Sequence, residues 1–153
     1  MKKLKYFVLI ILSVIVITGC GNKKAIDSDK FKKIMTDMDF QVVDAKYLFS
    51  EYDQVKEVYV ALEKDRNYQI EFYVLDTDDS ATDFYNTNKT IFEDSKGSTS
   101  SYKTVNLGNV SKYTLTTDGQ YKIISRIGNT AVFVSEDIKY KDDINKILKK
   151  LGY

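Results

Sequence analysis

Apolar and polar residues alternate along this chain with two different periods, and the switches between them mark out its elements. Phe31, Ile34, Met35 and Met38 recur at helical spacing with lysines and aspartates on the opposite side, so a first helix is expected, with Ser28 as its N-cap. Phe40 to Ala45 reads as a short extended segment. Lys46 to Gln54 follows as an irregular connection whose Tyr47, Leu48, Phe49 and Tyr52 are expected to be buried, because exposed apolar rings are costly in water. Period-two alternation through Val58, Val60 and Leu62, a polar turn, and the same alternation through Tyr68, Ile70, Phe72 and Val74 predict a hairpin.

Asp76 to Asp79 opens a second helix, with Ser80-Ala81-Thr82-Asp83 similar to a capping box and with Ala81, Phe84, Tyr85, Ile91 and Phe92 on its apolar side. Asn86, Thr87 and Asn88 are weak helix formers, so tertiary packing must hold it. Ser95 to Ser101 reads as a loop, Tyr102 to Val105 and Val110 to Thr117 as strands. Asp118-Gly119 suits a type I′ turn and Gly128-Asn129 a type II′ turn, which makes residues 110–136 an antiparallel meander. The last helix starts near Asp142-Asp143, carries Ile144, Ile147, Leu148 and Leu151 on one stripe, and ends with Lys149, Lys150 and Gly152, as the helix dipole and C-terminal capping favour.

Helix, strands, helix, strands, helix is the order of an α+β fold, expected here as an antiparallel sheet with helices packed on one face. The other face would present Tyr59, Tyr73, Lys122, Ile124, Arg126 and Phe133. Asp65-x-x-Tyr68-x-Ile70 is echoed by Asp118-x-x-Tyr121-x-Ile123, which raises a pseudo-symmetric duplication of a hairpin and helix.

The beginning of the chain has a different character. Lys2, Lys3 and Lys5 precede an apolar run from Tyr6 to Thr18, and Ile17-Thr18-Gly19-Cys20 closes it. A helix over that run rises only about 20 Å, short of a hydrocarbon core of about 30 Å, so it reads as an inserted and cleaved segment rather than a span. It resembles a bacterial lipoprotein signal peptide with its lipobox. The resemblance implies that residues 1–19 are removed by cleavage after Gly19. It also implies that Cys20 carries an S-diacylglyceryl group and an acylated amino terminus, and that the protein sits on the extracytoplasmic face of the cell membrane. Two acyl chains on one residue suffice for stable anchoring. Residues 20–27 then form the lipidated N-terminus and a short tether, and residues 28–153 a single globular domain. Leu12 to Gly19 is also similar to the peptide pheromones that some Gram-positive bacteria process from lipoprotein signals, a minor alternative.

Composition narrows the chemistry left to the mature part. The chain has one cysteine, Cys20, and no histidine, so once Cys20 is acylated no thiol–imidazole pair, Ser-His-Asp triad, disulfide or usual zinc ligand remains. Losing the three signal lysines leaves 20 basic residues of the 23 against 22 acidic ones, a balance that argues against a nucleic-acid surface. Lysine far outnumbers arginine, and proline and tryptophan are absent, the usage of an AT-rich, Gram-positive genome. One domain is also too little for a two-lobed solute receptor.

Asp76-Thr77-Asp78-Asp79-Ser80 invites a calcium reading, but an EF-hand loop wants glycine at its sixth position and glutamate at its twelfth, where Ala81 and Thr87 stand. Helix capping accounts for these acids, and no metal or cofactor is expected. A carboxylate pair could still run glycoside hydrolysis, so a cell-wall hydrolase is the alternative class. The leading expectation is a non-enzymatic lipoprotein that binds an envelope component or partner protein. Tyr59, Tyr73 and Phe133 are its candidate binding surface, since tyrosine offers a flat apolar face with a polar tip.

Overall fold

In a computed structural model of the chain, residues 22–153 are described; the signal segment, the lipobox with Cys20 and the pheromone-like stretch 12–19 lie outside them. The chain runs α1 (Ser28–Thr36), β1 (Gln41–Asp44), a 3-10 turn (Lys46–Phe49), β2 (Val55–Leu62), β3 (Gln69–Leu75) and α2 (Asp78–Asp94). It continues through β4 (Ser100–Leu107), β5 (Val110–Thr117), β6 (Gln120–Ile127), β7 (Thr130–Asp137), a second 3-10 turn (Ile138–Tyr140) and α3 (Lys141–Leu151). All seven strands form one antiparallel sheet in the order β1-β2-β3-β7-β6-β5-β4, so the fold is α+β. Among the described residues, no helix is long and apolar enough to cross a bilayer.

The helices cover both faces of the sheet rather than one. Phe31 and Met35 of α1 and Ile144, Ile147, Leu148 and Leu151 of α3 pack on Ala61, Ile70, Phe72, Ile123, Val132 and Val134. Ala81, Tyr85 and Phe92 of α2 pack on the opposite parity of the same strands, Val58, Tyr73, Ile124 and Ala131. Alternate residues of a strand point to opposite faces, and both parities carry apolar side chains, Ile70 and Phe72 against Tyr73 and Leu75 in β3, Ile123 against Ile124 in β6, and Val132 and Val134 against Phe133 in β7, so a single covered face would leave one group in water. Tyr73, Ile124, Arg126 and Phe133, expected to be displayed, therefore lie under α2, and Tyr73, Ile124 and Arg126 are buried.

This arrangement also rules against the duplication. A two-fold axis relating antiparallel neighbours β3 and β7 would run normal to the sheet and keep the following helices on one face, whereas α2 and α3 lie on opposite faces. The echoed motif falls on β3, which is followed by a helix, and on β6, which is followed by another strand.

Local signals are shifted by a few residues from the expected positions. Asp27, not Ser28, caps α1, its carboxylate accepting from the Lys30 amide at 2.8 Å. Thr77 caps α2, its hydroxyl accepting from the Ser80 amide at 3.0 Å, so the helix starts one turn ahead of the box at Ser80. β4 takes in Ser100 and Ser101 and runs on to Leu107, leaving Gly108-Asn109 as a two-residue turn. The meander of 110–136 forms as expected. Its Asp118-Gly119 turn has φ of 46° and 78°, the double positive φ that type I′ requires. Gly152 ends α3 in the left-handed conformation, at φ 89°.

Residues 22–27, expected to belong to a short tether, are docked. The Lys23 amide donates to Asn109 Oδ1 and Asn109 Nδ2 donates back to the Lys23 carbonyl, both at 2.9 Å. Ile26 is buried against the α1/α3 face. The N-terminal segment is thereby pinned to the β4–β5 turn.

Candidate functional site: an apolar groove beside the second helix

The expected platform of Tyr59, Tyr73 and Phe133 is not one surface. In the β2–β3 register Tyr59 stands opposite Phe72, whereas Tyr73 stands opposite Val58, a one-residue offset that sends the two tyrosines to opposite faces. Tyr59 is half-buried beside α1, with the Lys32 ammonium 4.9 Å from its ring centre. Tyr73 is buried between Phe49, edge-on at 5.5 Å, and Phe84 at 4.6 Å, and its hydroxyl donates to Glu71. Burial, then the Glu71 charge, pushes the Tyr73 phenol far above its usual range. Phe133 is half-buried against Phe92, 5.2 Å away. Two of the three are therefore packing residues of the α2 layer.

The aromatic connection between β1 and β2 departs from expectation in the other direction. Tyr47 is 72% exposed, Leu48 64% and Tyr52 53%, while Phe49 alone turns inward against Tyr73. The backbone fixes this outcome. The Lys46 amide donates to Asp44 Oδ1 and the Leu48 amide to the Ala45 carbonyl, winding a tight turn over buried Ala45, and Lys46 Nζ caps the Phe49 carbonyl at 2.9 Å. A 3-10 turn has three residues per repeat, so one side chain in three faces inward and its neighbours cannot.

Between this turn and α2 lies a groove of about 500 Å³. Phe49, Val55, Leu75 and Phe84 supply its apolar walls, while Ser80, Asp83, Thr87 and Asn88 bring polar groups from one side of α2. Tyr52 stands at its mouth. Asn88 spends its amide on the Phe84 carbonyl at 2.8 Å, which leaves the Asp83 carboxylate as the charged group of the groove. Such a site accepts an apolar side chain or short extended segment and favours a cation beside it.

The acidic residues do not assemble into a second centre. Among the described residues, no three of His, Cys, Asp and Glu are grouped to hold a metal. Ser80 bonds to the Asp76 carboxyl and holds it below its usual range, which ties that acid to the start of α2. Burial raises the Glu136 carboxyl, with a smaller contribution from the Glu71 charge. Yet Glu71 stands opposite Phe133 on the α2 face and Glu136 opposite Tyr121 on the α1/α3 face. A pair divided by the sheet cannot flank one glycosidic bond.

No family model, curated protein or solved structure matches the chain, so its site is read from its own residues.

Proposed function

We propose that this is a lipid-anchored, extracytoplasmic binding protein without catalytic chemistry of its own, which holds a partner protein of the cell envelope in the groove between the Lys46–Phe49 turn and α2. What supports anchoring is the likeness of residues 1–20 to a lipoprotein signal ending at Cys20. The observation that carries the binding role is the exposure of Tyr52 at the mouth of an apolar groove, with Tyr47 and Leu48 exposed on the turn whose Phe49 forms one wall, in a domain whose other described rings, Tyr102 excepted, are buried or half-buried. Tyrosines at the rim of an apolar cavity supply large contact area at little cost in side-chain entropy.

The test places a photo-crosslinking side chain at Leu48 on intact cells. A discrete crosslinked species is expected, and it should disappear when Tyr47 and Tyr52 are both changed to serine while the circular dichroism of the purified protein stays the same. No discrete species, or one indifferent to those two changes, refutes the groove as the binding site. Mass spectrometry of Cys20 tests the anchor separately.

A further inference from the structure

The α1/α3 layer stops at β6, and the part of that face formed by β5 and β4 is uncovered. Ser101, Lys103, Val105, Lys112, Thr114 and Thr116 project from it, and α3 walls one side with Lys141 and Asn145, enclosing a recess of about 380 Å³. Of its lining residues none is Asp or Glu, in a chain whose 22 acidic residues nearly balance its 23 basic ones. Among the described residues, none of Lys103, Lys112 and Lys141 forms an ion pair. Asp142, whose charge reaches the Tyr121 hydroxyl, is not part of the lining.

The three cations are ordered along the strands. Lys112 stands opposite Val105, Lys103 is opposite Thr114, and Lys141 lies 5.4 Å from the ring of Tyr121, which is opposite Thr116. Measured along β5 they fall at three successive levels, a rise of about 7 Å per level, with Lys103 displaced to one side on β4 and Lys141 to the other on α3. Lys23, pinned at the β4–β5 turn, is close enough to press on the charge of Lys112, which burial and its neighbours Lys23 and Lys103 hold below the usual lysine range. An anion would relieve both costs.

We propose that this lysine ladder binds a linear phosphodiester polyanion of the cell envelope, laid along β5 with successive phosphates at Lys112, Lys103 and Lys141 and with Thr114 and Thr116 donating to phosphate oxygens. Lysine meets a phosphate as a compact point charge with three donors, and the hydroxyls of Thr114 and Thr116 are placed to donate to its remaining oxygens. A recess walled by α3, with Lys112 half-buried in it, admits a chain but not a plane of lipid headgroups. The choice of an envelope polymer rests on the extracytoplasmic reading above; the binding chemistry depends on neither Cys20 nor the groove.

The test uses the full chain purified in non-ionic detergent and a fluorescent poly(glycerol phosphate) oligomer at physiological salt. The oligomer should bind, the combined variant Lys103→Gln, Lys112→Gln, Lys141→Gln should weaken it about tenfold or more, and the charge-matched Lys30→Gln, Lys64→Gln, Lys150→Gln should change it less than about twofold. Exposed Lys103→Gln alone should weaken it measurably, and the amide resonances of Thr114 and Thr116 should shift on titration, so the result does not depend on tolerance of change at Lys112. No binding, equal losses in both triple variants, or unmoved Thr114 and Thr116 resonances would overturn the proposal. So would retention on phosphatidylglycerol vesicles through the same three lysines without binding of the free oligomer, which would make the strip a membrane contact. Poly-glutamate binding as tightly as the oligomer would show that phosphate is not what is recognised.

Discussion

At the scale of single residues, Arg126 is the clearest departure from what packing alone would choose. It is 9% exposed beneath α2, forms no ion pair among the described residues, and keeps one hydrogen bond, from Nη1 to the Gly128 carbonyl at 3.2 Å, while its Nε has no partner. An unsatisfied buried donor costs about 1–3 kcal/mol, and the aliphatic stem of arginine still contributes packing. Arg126→Met, which retains the stem and removes the donors, should therefore leave stability unchanged or raise it by about 1 kcal/mol. Arg126→Ala, which removes both, should lower it by about 1–2 kcal/mol. Urea unfolding of the two variants checks the order; a methionine variant less stable than the alanine one would refute it. Nothing in the alternation of β6 distinguishes this arginine from one that faces solvent, and for that reason Arg126 reads from the sequence as a displayed residue.

At the scale of elements, much of the fold is legible because each helix carries one apolar stripe and the two hairpins of residues 110–136 each carry one turn dipeptide. Ile144, Ile147 and Leu148 and the Asp118-Gly119 turn need no tertiary information to be placed. What alternation cannot report is which parity a helix will cover, because that depends on the connection after β3 crossing to the face opposite the one taken after β7. The same ignorance hides the groove: Phe49 and its exposed neighbours are alike in hydrophobicity, and only the winding of the 3-10 turn separates them. Burial also predicts how the sheet opens. β4 is exposed along its whole length and bonds to β5 alone, whereas β7 lies between β3 and β6 under helices on both sides. Hydrogen exchange should find β4 amides opening about 100-fold or more faster than those of β7, a difference of about 3 kcal/mol in local stability. Protection of β4 equal to that of β7 would mean that the edge is covered in solution.

At the scale of the whole molecule, the docking of residues 22–27 would set an orientation for a domain anchored at Cys20 as proposed. Asn22 lies beside Gly108 in the β4–β5 turn, and two residues of chain, at most about 7 Å, separate it from Cys20, so the proposed lipid would put that turn nearest the bilayer. Strands of eight residues put the Asp118-Gly119 turn about 26 Å away, at the other end of the sheet. In vesicles carrying headgroup quenchers, a fluorophore at Asn106 should therefore be quenched strongly and one at Gln120 weakly. Equal quenching at the two positions would show that the domain swings freely. With the proposed anchor at Cys20, the docking of Lys23 on Asn109 would leave almost no leash and set a capture radius. If the proposed lipid is on Cys20, a protein moored this closely cannot sweep the wall for a distant target, and whatever it engages must come down to within one domain's height of the bilayer.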